Sequence, residues 1–132
     1  MCLILVAKDA HPRYPLIIVA NREEYHSRPT QSLSFWHDYP TIAAGRDLTA
    51  GGTWFGLNLH GLFAAVTNFH EPTATMKSDY SRGTLVLDWL RQNPESADCH
   101  LQSPGQLQRY QGVNVISGNF ATLWWNSNRV SD

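Results

Sequence analysis

The apolar residues of this chain come in short unbroken runs, and these settle what it folds into. Leu3–Ala7, Leu16–Ala20 and Leu62–Val66 are strand-sized. They are too short for a helix with a buried stripe and far short of the roughly 18 apolar residues of a membrane span. Unbroken rather than alternating runs describe strands covered on both faces. The first two runs are separated by Asp9–Pro15, which contains two prolines and reads as the loop of a hairpin. A second hairpin joins residues 51–58 to 62–68 through Leu59-His60-Gly61.

Between the hairpins, residues 25–50 read as irregular, broken by Pro29 and Pro40, with Ile42–Gly45 as a short strand. Residues 69–80 read as a polar loop. Ser81 stands where an N-cap would open a helix reaching about Gln92, ahead of Asn93-Pro94. Leu85, Val86, Leu87, Trp89 and Leu90 leave that helix little polar surface, so it packs on a sheet. Pro104–Tyr110 forms a short second helix. Val113–Ile116 and Thr122–Trp125 form two more strands, with Gly118-Asn119 at their turn. The expected class is α+β: antiparallel sheets with a packed helix, in one domain over residues 1–132. The chain stops soon after an aromatic strand, which predicts an apolar face that is exposed or covered by a second copy.

Eleven acidic and ten basic residues give a net charge of −1, and 42% of the 132 residues are hydrophobic. That excludes a disordered chain and gives no basic surface for nucleic acid or anionic lipid. Lys8 and Asp9 end the first apolar run and no basic stretch precedes it, so it is not read as a signal peptide. Two cysteines, Cys2 and Cys99, make no disulfide framework and point to a reducing, cytoplasmic setting. The six histidines show no metal-ligand spacing, so no metal is expected. A single histidine as the axial ligand of a bound haem stays open. Gly51-Gly52 lacks the lysine of a phosphate-binding loop.

Cys2 is the first candidate for chemistry. Removal of Met1 would leave it with a free α-amine, a group that titrates at about 7.7–8.0. Base and nucleophile would then share one residue. With Met1 in place that nitrogen is an amide and cannot act as a base; Cys2 is then a small apolar residue opening a strand. If the first two runs pair, Asn21-Arg22-Glu23-Glu24 lies beside Cys2. A guanidinium near a thiol favours the thiolate. Arg22 and Glu24 share one face of an extended segment, so Glu24 is expected to pair with Arg22 and orient the Cys2 amine. Asn68, ending the other hairpin, can donate to a developing oxyanion or simply serve the turn.

Several segments carry a more specific signal: Met1-Cys2, Ala20-Asn21-Arg22-Glu23-Glu24, Arg28-Pro29, Gly51–Gly56, Ala65-Val66-Thr67-Asn68 and Ser81-Arg82-Gly83. In this order they closely resemble the Transport and Golgi organisation 2 family, also called the NRDE family after its Asn-Arg-Asp-Glu motif. The resemblance continues more weakly through Gly112-Val113-Asn114, and Glu23 replaces the motif's aspartate. It implies that the chain is an N-terminal portion of a longer domain. It also implies a fold similar to the N-terminal-nucleophile hydrolases, a four-layer αββα sandwich here present in part.

Two activities follow as expectations. One is a cysteine amidohydrolase acting on an amide or thioester, with Cys2, Arg22, Glu24 and Asn68 as catalytic candidates. Asn21, Trp54, Phe55 and Asn114 would then bind the ligand, the two aromatics lining an apolar acyl pocket. The other is a carrier or trafficking factor for haem or a lipid-like ligand.

Overall fold

The computed structural model describes residues 2–69, 78, 80–93 and 104–130. Cys99, His70 and His100 lie outside these residues. The described chain forms an antiparallel, α+β arrangement of two sheets and two helices.

The smaller sheet is a hairpin of β1 (Ile4–His11) and β2 (Tyr14–Ala20), with Leu5 opposite Val19 and Val6 opposite Ile18. The expected pairing is present, but both strands run further than their apolar runs. Asp9 adopts a left-handed φ of 54°, and the ladder shifts register between Lys8 and His11. An aspartate tolerates that conformation better than most side chains, so the shift is absorbed inside the stretch read as loop. The expectation of strands covered on both faces fails. Ile4, Val6, Leu16, Ile18 and Ala20 are half-buried, whereas Leu3, Leu5 and Val19 are each more than half exposed.

The larger sheet is a six-stranded meander in chain order, from β3 (Thr30–Phe35) through β4 (Ile42–Asp47), β5 (Phe55–Asn58), β6 (Phe63–Asn68) and β7 (Val113–Gly118) to β8 (Leu123–Ser127). The stretch read as irregular therefore contains an edge strand, β3. Every residue of β3 is exposed, so burial leaves no apolar pattern to read. The second hairpin pairs as expected, with Phe55 opposite Ala65. Residues 51–54 stay outside the strand. Gly51 takes a φ of 75°, and a Cβ on Gly52 would sit 2.7 Å from the Gly83 carbonyl carbon. Gly52 lets the start of the helix touch the backbone leading into β5.

One face of the meander carries the core. Ile42, Ala44, Ala64, Val66, Val113 and Val115 pack under Leu85, Val86, Trp89 and Leu90 of α1 (Gly83–Leu90), and under Leu107 of α2 (Pro104–Leu107). Each such Leu or Val contributes roughly 1.5–3 kcal/mol through burial. The helix is shorter than expected and Ser81 is not its cap. Arg82 holds that position without a side-chain cap bond, and the Ser81 carbonyl accepts from Thr84 N and Oγ1 at 3.0 and 2.7 Å.

Two buried asparagines satisfy backbone groups at the edges of this core, while the Trp89 indole N–H is buried without a hydrogen bond. Asn58 donates to the Leu90 carbonyl at 2.8 Å and accepts from His60 and Leu62 N–H at 3.0 and 2.9 Å. It fastens the helix end and the β5–β6 turn at once. Asn128 accepts from Val113 N–H at 2.9 Å and donates to the Leu107 and Tyr110 carbonyls at 2.8 and 3.0 Å. Asn58→Ala strands these backbone groups in an apolar setting, where each costs about 1–3 kcal/mol. Denaturant unfolding is expected to show a loss of about 3 kcal/mol, with little effect from the exposed neighbour change Leu59→Ala.

Candidate functional site

A reciprocal clamp between Leu3 and Asn21 brings the start of the chain to the site. Leu3 N–H donates to Asn21 Oδ1 at 2.7 Å and Asn21 N–H donates to the Leu3 carbonyl at 3.0 Å. The Asn21 side chain is thus engaged in holding Leu3 beside the end of β2. Cys2, one residue earlier, is half-buried and lines a cleft of about 330 Å3 together with Arg22, Glu24, Trp54 and Asn68.

Arg22 lies over Trp54, its guanidinium carbon 5.0 Å from the ring centroid. Room for that indole comes from Gly45, where a Cβ would approach Trp54 Cη2 to 2.6 Å. Arg22 Nη1 donates to the Arg28 carbonyl at 3.5 Å. Its Nη2 is buried, 3.6 Å from Asp47 Oδ2, and makes no hydrogen bond. The expected Arg22–Glu24 pair is absent. Glu24 instead pairs with Arg28 at 3.2 Å, one helical-type step along the chain, and accepts from Tyr25 N–H at 3.0 Å. The chain turns after Glu24, so the nearer partner of its carboxylate is Arg28.

The carboxylate facing Arg22 is Asp47, which the sequence reading passed over. Asp47 Oδ1 accepts from Thr49 and Ala50 N–H at 2.9 and 3.1 Å, and Oδ2 meets Arg28 Nη2 at 2.8 Å. Burial alone would push this carboxyl up. The two N–H bonds and the positive charges of Arg28 and Arg22 outweigh it and hold Asp47 below the ordinary carboxylate range. A signal existed: Asp47-Leu48-Thr49-Ala50-Gly51 is an Asx-turn pattern. Its neighbour Arg46 braces the same turn, donating to the Gly51 carbonyl at 3.2 Å while gripping Asp38 through two bonds of 2.8 and 2.7 Å.

Asn68 is exposed at the cleft wall. Phe55 lines neither this cleft nor the groove beside it. Asn114 lies in that second groove, which also begins at Cys2, and donates to Thr67 Oγ1 at 3.3 Å. Among the described residues, no group of three or more His, Cys, Asp or Glu could hold a metal. His11, His26, His37 and His60 line neither cavity. No described helix is long and apolar enough to cross a membrane.

Comparison with known proteins agrees with the motif order. Residues 1–132 match the sequence profile of the family Transport and Golgi organisation 2. The chain is 33% identical to the human Transport and Golgi organization protein 2 homolog over 129 residues, covering 92% of this chain and 46% of that protein. It is 32% identical to the mouse homolog over 129 residues, with the same coverage. It is 30% identical over 103 residues to the Drosophila melanogaster Transport and Golgi organization protein 2, covering 72% of this chain and 36% of that protein. The chain thus spans about half the length of its mammalian relatives.

The Asp47 clamp predicts an acid limb in stability. Its folded pKa lies below the unfolded one, so its contribution is present above about pH 4 and is lost as pH falls through the folded value. Asp47→Asn removes the carboxylate facing Arg22, leaves Arg28 with Glu24 alone, and is expected to cost about 3 kcal/mol at pH 7. Thermal unfolding between pH 6 and pH 2 should show a smaller acid decline in the variant; parallel curves would contradict the clamp.

Proposed function

Because the chain belongs to the Transport and Golgi organisation 2 family, we propose that it carries the nucleophile half of a cysteine hydrolase site for an amide or thioester. One observation carries the reading: Cys2 before β1, Arg22 after β2 and Asn68 at the end of β6 line one cleft. Two further features support it. Arg22 keeps a buried donor without a hydrogen bond, and Trp54 holds its guanidinium in place. The fold proposed with it is an αββα sandwich, in which the meander and the β1–β2 hairpin form the inner layers and α1 lies outside.

In the form lacking Met1, the free amine of Cys2 takes the thiol proton as Sγ bonds to the acyl carbon. Asn68 donates to the carbonyl oxygen as it gains charge. The C–N or C–S bond to the leaving group then breaks, and the ammonium of Cys2 returns its proton to the departing atom. Water adds to the resulting thioester, giving the free acid and restoring the thiol. Arg22 is a nearby cation of the same cleft.

A haem carrier receives less support, because no described histidine lines the cleft and Cys2 would be the ligand at hand. The names of the relatives speak of transport and Golgi organisation. An acyl-processing step on a cytoplasmic small molecule is compatible with such a role.

The test uses protein with Met1 removed, verified by intact mass. Cys2 is expected to alkylate at pH 7 about tenfold faster than Cys99, and Arg22→Ala to remove most of that difference. A generic amide or thioester should leave an acyl mass increment on the Cys2 peptide. Equal alkylation of both cysteines, unchanged by Arg22→Ala and without an acyl adduct, would overturn the reading.

A further inference from the structure

Cys2 lines two cavities, and the first is the more polar. The first is the arginine-and-carboxylate cleft. The second, of about 260 Å3, runs from Cys2 between the start of β1 and the face of the meander opposite α1. Its floor follows from strand register: Thr67 opposes Asn114 in one row, and Ile116 opposes Trp125 in the next. Rows two residues apart along a strand are separated by roughly 7 Å. The floor therefore passes from a polar rung to an apolar one, with Leu3 and Ile4 as the opposing wall. Trp125 is 55% exposed although it stands on a sheet face beside Ile116.

We infer that this groove is the acyl subsite: it takes a short straight aliphatic chain over Ile116 and against Trp125, with the chain's carbonyl at Cys2. The inference rests on the hydrolase reading for its carbonyl position. It moves the acyl pocket away from Trp54 and Phe55. Trp54 is occupied in supporting Arg22, and Phe55 lines neither cavity. The non-acyl part of the ligand then falls in the first cleft. There Arg22, Arg28 and Arg82 are balanced by Glu23, Glu24 and Asp47, so it suits an uncharged or zwitterionic group rich in hydrogen bonds better than a bare anion. Continuity of both cavities with one residue, Cys2, is what favours a small amphiphile over a protein surface as the occupant.

The experiment compares acetyl, butyryl, hexanoyl and octanoyl p-nitroanilides. Their binding to Cys2→Ala protein is followed by calorimetry, and their hydrolysis by Met1-less protein is followed by p-nitroaniline release. Affinity is expected to rise up to about fourfold per added methylene, and Trp125→Ala and Ile116→Asn should each remove most of that rise. Trp125 is exposed enough for its alanine variant to fold. Length-independent or undetectable binding, or a rise that survives both variants, would overturn the subsite. So would a concentration-dependent dimer that Trp125→Ala abolishes, because a second copy would then own the face. Length-dependent binding without turnover would retain the subsite and remove the hydrolase reading. Turnover without length dependence would do the reverse.

Discussion

The Asp47 carboxylate joins three pieces of chain that local structure leaves independent. One oxygen is fixed by the turn that follows β4, through Thr49 and Ala50 N–H. The other faces Arg28, just ahead of β3, and Arg22, just after β2. The small sheet and the large sheet thus meet at a charged contact that is mostly out of water. Ion pairs in such positions are costly to break because the surviving charges stay buried. The positions of Arg22, of Trp54 beneath it and of the cleft wall all follow from that contact.

The two faces of the meander have different fates. Toward α1 and α2, every apolar side chain finds another, and the backbone groups left over at the helix end and the strand turns are taken by Asn58 and Asn128. An apolar residue could pack in either position, but it would leave those N–H and C=O groups without partners. On the opposite face Phe35, Leu57 and Trp125 remain substantially exposed, and so do Leu5 and Val19 of the hairpin. Apolar surface of this kind on a sheet marks a place of contact. The groove at Cys2 lies where the two sheets begin to cover one another.

Glycines determine how closely the site can be assembled. Gly52 meets Gly83 backbone to backbone, and Gly45 yields the volume that the Trp54 ring fills. A side chain at either place would displace the helix start or the indole, and with them the walls of the cleft. The Gly51-Gly52 pair is explained by packing against α1 and by one left-handed turn residue.

Strand-sized apolar runs were enough to place both hairpins, the last two strands and the packed helix, because burial and period are local properties of sequence. The order of motifs likewise carried the family, and the hairpin brings Cys2 and Arg22 to one cleft, since it returns its second strand to the start of its first. Other features were not legible. β3 has no buried face to impose a pattern, and the length of β1 depended on a shift absorbed at Asp9. The partner of Arg22 was misplaced because charges pair by distance in space: Glu24 is two residues away in sequence, yet the chain turns it toward Arg28 and brings Asp47 in from another strand. The sequence by itself determined which segments form the two hairpins, the last two strands and the packed helix. Only the tertiary structure decided which polar groups face one another, because that depends on how separate elements cross rather than on the residues along any one of them.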